Sequence, residues 1–121
     1  MYAEYTAYLR YGGTMSEEQY LVYGARAAGQ IDRLTLGRAA RYAAVLSAEL
    51  QNANAAMADL LRNADEARQR SALGVTAANT DGYSESYGTA ADGRKALQSA
   101  MREVLQDCLG ADPYGLLYRG L

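Results

Sequence analysis

Residues 16–37, Ser16-Glu17-Glu18-Gln19-Tyr20-Leu21-Val22-Tyr23-Gly24-Ala25-Arg26-Ala27-Ala28-Gly29-Gln30-Ile31-Asp32-Arg33-Leu34-Thr35-Leu36-Gly37, decide the fold class. Ser16 with Gln19 three residues on makes a capping box, and Glu17 and Glu18 put two acids in the first turn, at the positive end of a helix dipole. Tyr20, Tyr23, Ala27, Ile31 and Leu34 then recur at helical spacing on one face. Gly37 supplies a left-handed stop. The stretch predicts an amphipathic helix over about 16–36. Gly24 and Gly29 inside it either weaken it or mark where another backbone comes close.

Toward the N-terminus, residues 3–11 read as a short helical lead-in ended by Gly12-Gly13. Toward the C-terminus, 38–72 contains neither Gly nor Pro and keeps an apolar row of Tyr42, Leu46, Leu50 (or Ala53), Met57, Leu60, Leu61 and Ala64. It predicts one long helix, with Arg68 and Arg70 complementing its dipole and Asn52 and Asn54 as its weak point. From Gly74 to Thr89 the pattern changes. Asn79-Thr80-Asp81-Gly82 is turn chemistry, and Tyr83, Glu85 and Tyr87 alternate with Ser84 and Ser86, as on a strand, so a hairpin with Val75–Ala78 as partner strand is expected.

A last helix is predicted over 91–109, with Leu97, Met101, Val104, Leu105 and Cys108 facing inward and Gly110 as its stop. Pro113 prevents continuation. The apolar, Gly-punctuated tail to Leu121 is expected to dock in a groove of its own subunit or a neighbour's, with another chain favoured, and its removal from Tyr114 on to leave the bundle folded. The expected fold is mainly α: one domain over 1–121, a small helical bundle with one protruding β-hairpin and an extended C-terminal tail.

Composition limits the core. The chain has 24 Ala and 11 Tyr against 24 Leu, Ile, Val and Met together, with no Phe or Trp. Ala lets helices approach but buries little area, and each Tyr brings a hydroxyl that needs a partner. A core this thin points to self-association as a further source of stability. The net charge of −2 and the single lysine, Lys95, give no electrostatic footprint for wrapping nucleic acid. One cysteine excludes an intramolecular disulfide and fits a reducing compartment. No leader pattern opens the chain, and no apolar run nears the roughly 18 residues of a membrane span, so a soluble intracellular product with no membrane partner is expected.

The chemistry of catalysis is sparse. Without histidine, Ser-His-Asp and Cys-His catalysis fall away together with the commonest metal ligand. Cys108, near a helix C-terminus, sits where the dipole opposes a thiolate. Asp59, Asp65 and Glu66 fall at ion-pair spacing with Arg62 and Arg68, which predicts a salt-bridge face. Arg26, Arg33, Arg38 and Arg41 do not form one stripe, and ion pairing or a subunit contact is expected of them. They are also the best argument for a rival, a small dimeric helical regulator binding DNA or a host protein. No catalytic, cofactor-binding or metal-binding residue is expected, and the chain is not expected to be an enzyme.

Four stretches in order carry a resemblance. Met1-Tyr2-Ala3-Glu4-Tyr5, Tyr-Gly-Gly-Thr at 11–14 and Ser16-Glu17-Glu18 resemble the start of small head-tail connector proteins of long-tailed bacteriophages and prophages. Ile31 to Arg38 looks like their shared first-helix segment. Asn79 to Tyr87 is similar to their hairpin, with Glu85 standing where an apolar residue is usual. Gly115-Leu116-Leu117-Tyr118-Arg119-Gly120 matches their usual end. The resemblance implies a virion protein at the head-tail interface, made in the host cytoplasm. It implies a homo-oligomeric ring, commonly of about twelve subunits, closed by head-to-tail contacts. Such a ring binds the portal protein, receives the next connector, stopper or tail completion protein, and lets genomic DNA through its channel without sequence-specific binding. Candidate contact residues are Tyr83, Glu85 and Tyr87 in the hairpin and Leu116, Leu117 and Tyr118 in the tail.

Overall fold

A computed structural model describes residues 1–73, 90–110, 112 and 114–117, and among these the chain forms five helices and no strand. Helix α1, Tyr5–Tyr11, stops where Gly12 turns left-handed at φ 105° and its N–H returns to the last-turn carbonyls. Helix α2, Glu17–Leu34, starts as the capping box requires: Ser16 Oγ accepts from the Gln19 N–H at 3.2 Å. Its buried face is Tyr20, Gly24, Ala27, Ile31 and Leu34, with Tyr23 at the margin.

The single helix expected over 38–72 is instead two. Helix α3 is the single turn Arg38–Arg41, and α4 begins at Ser47 and runs to Leu73, with 42–46 a turn between them. No residue of that turn breaks a helix by itself, since Ala43 and Ala44 are good formers. The bend coincides with contacts from outside: the Tyr42 ring stacks on Tyr114 at 4.7 Å, and Arg38 reaches the Leu116 carbonyl at 3.1 Å. The expected weak point at Asn52 and Asn54 lies inside continuous α4. At 1.5 Å per residue α4 is about 40 Å long, and it packs against α1, α2 and α5, Ala90–Leu109. From α4 the core takes Leu50, Ala53, Met57, Ala58 and Leu61, and from α5 it takes Met101, Leu105 and Leu109.

The tail differs from the extended form expected. After Gly110, in the left-handed region, Asp112 also adopts a positive φ, 52°, and Gly115 follows at 66°. The Asp112 carboxylate accepts from the Leu116 and Leu117 N–H groups at 2.8 and 2.9 Å, so the segment closes on itself as a turn. The hairpin expected over 74–89, with Tyr83, Glu85 and Tyr87, lies outside the described residues, as does Tyr118. No helix among the described residues is long and apolar enough to cross a membrane.

Candidate functional site

The bundle's surfaces are held in place by tyrosine hydroxyls that bond across elements. Tyr8 and Tyr20 are wholly buried and stack with ring centroids 4.4 Å apart. The Tyr8 hydroxyl donates to Asp59 Oδ1 at 2.7 Å and accepts from the Thr14 and Met15 N–H groups, both at 3.0 Å. Tyr20 donates to the Ala3 carbonyl and accepts from Asn54 Nδ2 at 3.0 Å. Asn54, also wholly buried, uses its other amide hydrogen on the Gly24 carbonyl at 3.4 Å, while its Oδ1 accepts from the Tyr2 N–H at 3.1 Å. Only one orientation of the amide serves those partners, because an N–H can only donate and a carbonyl only accept. Burial pushes the Tyr20 hydroxyl up to about 12, so it stays protonated and able to donate. Tyr2 then reaches Asp32 through its own hydroxyl. The N-terminal segment is thereby fixed along α2.

One consequence is an open groove of about 380 Å³ lined by Met1, Glu4, Tyr5, Thr6, Glu17 and Leu21. Met1 and Leu21 are 53% and 54% exposed there, and Glu4 stands at the N-cap of α1 without a capping hydrogen bond. A second surface is the α3 corner. Thr35, buried, both ends α2, through Oγ1 to the Ile31 carbonyl at 2.8 Å, and starts α3, accepting from the Ala39 N–H at 3.2 Å. Between them Leu36 takes a left-handed φ of 55° and stands 60% exposed. Val45, in the turn after α3, is 63% exposed, and Tyr114, stacked on Tyr42, is itself exposed.

Of the expected salt-bridge face, Asp65 pairs with Arg68 and Glu66 with Arg62, while Asp59 is taken up by the Tyr8 hydroxyl instead, and the Asp65 cluster reaches further than the α4 spacing implied. Asp65 accepts from Arg68 on its own helix, from Arg26 Nη1 on α2 at 2.9 Å and from the Tyr23 hydroxyl at 2.9 Å. Arg26 also lies over the Tyr23 ring, 5.2 Å from its centroid. Burial alone would raise the Asp65 carboxyl, but the hydrogen bonds from Arg26, Tyr23 and Arg68 hold it below its ordinary value. A depressed carboxyl stabilises the fold fully above the unfolded value near 3.8 and loses that contribution as pH falls through the folded value. Between pH 5 and 2 the melting temperature of the wild type is therefore expected to fall more steeply than that of Asp65→Asn. The difference should stay within about 1 kcal/mol, since the Arg26 and Arg68 side chains are 47% and 73% exposed. Parallel pH profiles would show that Asp65 is not linked to folding.

Among the predicted contact residues, Leu116 is wholly buried and Leu117 partly so. Docking of this segment on another chain was the favoured expectation. For Leu116 the apolar partner is its own bundle, which the Arg38 bond and the Tyr42–Tyr114 stack hold in place. Truncation ahead of Tyr114 thus removes Leu116 from the bundle's own packing, which weighs against the expectation that the bundle stays folded without the tail. Cys108 is half-buried and its thiol is pushed up, first by burial and then by Asp107, the opposite of what a nucleophile needs. The exposed apolar residues went unremarked in the sequence. Leu21 and Val22 were legible, as large apolar side chains out of phase with the Tyr20–Ile31 row. Leu36 carried no such signal. Compared with known proteins, the chain matches no protein-family model, no curated protein and no solved structure.

Proposed function

We propose that this chain is a structural virion protein, the subunit of a ring that connects a phage head to its tail. The ring binds the portal vertex, offers the docking surface for the next connector, stopper or tail completion protein, and passes DNA through its channel. The observation that carries this reading is the order of four stretches along the chain, from Met1-Tyr2-Ala3-Glu4-Tyr5 through Ile31–Arg38 and Asp81-Gly82-Tyr83 to Gly115–Gly120. The Ala-rich bundle, with large apolar side chains left in solvent at Leu36, Val45, Leu21 and Met1, is in keeping with a subunit completed by neighbours. The residues expected in a hairpin, Tyr83, Glu85 and Tyr87, and Leu117 and Tyr118 toward the end of the tail are the contacts assigned to portal or neighbour. Against a DNA-binding regulator, Arg26 is engaged by Asp65, Arg33 by Gln30 and Arg38 by backbone carbonyls of its own subunit.

Light scattering on a sizing column across a concentration series, with negative-stain imaging of any large species, tests this. A closed particle of about a dozen copies with a central hole is the expected result, formed alone or on purified portal. A stable dimer that is retained on DNA in a salt-dependent way, and ignores the portal, would overturn it.

A further inference from the structure

Met1 crosses α2 at Gly24. A Cβ on Gly24 would stand 2.6 Å from Met1 Sδ and 2.8 Å from Tyr20 Cζ. With a Cα–Cβ bond of about 1.5 Å, the sulfur lies within about 4 Å of the Gly24 Cα, in van der Waals contact. The thioether therefore rests on the one position of the buried face of α2 that has no side chain. The residues that follow are tied down at once. The Tyr2 N–H donates to Asn54 Oδ1 at 3.1 Å, the Tyr2 hydroxyl donates to Asp32, and the Ala3 carbonyl accepts from Tyr20.

Exposure sets Met1 apart from the other methionines. Met15, Met57 and Met101 are at most 3% exposed, whereas Met1 is 53% exposed and lines the open groove. A thioether reacts with a peroxide only where the oxidant can touch it, so the three buried sulfurs wait on opening of the fold.

We propose that Met1 is a modification site, oxidised selectively by peroxides in the folded protein, and that its sulfoxide loosens the N-terminal segment from α2. In the step, a sulfur lone pair attacks one peroxide oxygen and the O–O bond breaks. The attacked oxygen stays on sulfur, and its proton passes to the departing hydroxide, which leaves as water. Sulfur is oxidised by two electrons and the peroxide is reduced by the same two. Gly24 leaves room for the sulfur in contact with its Cα, but none for an oxygen between them. The new S–O group must turn toward the groove or lift the side chain off the helix. Either way an apolar contact becomes a polar one. No second copy is needed, so the site stands whether or not the chain forms a ring.

Native protein is treated with dilute hydrogen peroxide, quenched at intervals, digested and read by mass spectrometry. Met1 is expected to convert at least about tenfold faster than Met15, Met57 or Met101. Protein oxidised at Met1 alone is then followed by NMR-detected amide exchange. Exchange at Tyr2 is expected to become several-fold faster while the middle of α4 is unchanged. The pair of methionine sulfoxide reductases, one for each epimer, should return Tyr2 to its starting rate. Conversion of any buried methionine as fast as Met1 overturns the site. A Tyr2 amide that exchanges as before overturns the loosening. A rise that spreads through α4 means that the whole fold opens, and overturns it as well.

Discussion

Gly13→Ala is expected to destabilise the protein by about 3 kcal/mol or more, measured as the shift in urea unfolding. A Cβ on Gly13 would stand 2.0 Å from Tyr8 Cζ and 2.2 and 2.3 Å from the two Cε atoms. Gly13 does not need a positive φ, so the backbone would accept alanine and the whole cost is steric. The ring cannot step aside cheaply. It is wholly buried, stacked on Tyr20, and tied by its hydroxyl to Asp59, Thr14 and Met15. Moving it breaks all of these at once. Gly29→Ala is the control of opposite sign: it lies within α2 with no atom within 4 Å of the added carbon, and should stabilise by about 0.5–1 kcal/mol. Equal effects at the two glycines would refute the role given to Tyr8.

Asn54→Ala should cost about 3 kcal/mol, through the Tyr2 N–H left without a partner, the bonds lost by Tyr20 and Gly24, and the cavity that forms. The Tyr2 N–H, the Gly24 carbonyl and one lone pair of Tyr20 lose their bonds together. Asn54→Asp should be worse, although it keeps the shape. It removes both N–H donors, to Tyr20 and Gly24, and places a carboxylate at a wholly buried site. Most of the fall should appear in the N-terminal segment, as faster hydrogen exchange at Tyr2. If Asn54→Ala unfolds at wild-type urea concentration, the network is ornamental. Domains of this kind have only about 5–15 kcal/mol in total, so either substitution at Asn54 removes a large share.

Asn54 also shows where sequence reading stops. A polar residue inside an apolar helix reads as a weak point unless its partners are known, and one of them is the backbone of Tyr2, 52 residues away. The bounds of α2 were legible because Ser16, Gln19 and the Tyr20–Leu34 row are local signals, and α5 began and ended within a residue of expectation for the same reason. The break at 42–46 was not legible: Tyr114 and Leu116, which meet that corner, come about seventy residues later. Neither surface of the candidate site declares itself in a motif. The groove depends on how Met1 is laid against α2, and the corner on a left-handed leucine.

The hydroxyls of Tyr2, Tyr5, Tyr8, Tyr20 and Tyr23 each bond to a residue at least ten positions away in the chain. An alanine-rich helix presents a nearly smooth wall, and two such walls can slide past each other by a turn with little loss of buried area. Phenylalanine would fill the same volume in any of those alignments. A hydroxyl that must find one particular oxygen makes the alternatives unequal, leaving donors stranded in every register but one. In a chain without phenylalanine, these five tyrosines fit a bundle that uses its aromatic residues to choose a single alignment as well as to fill space.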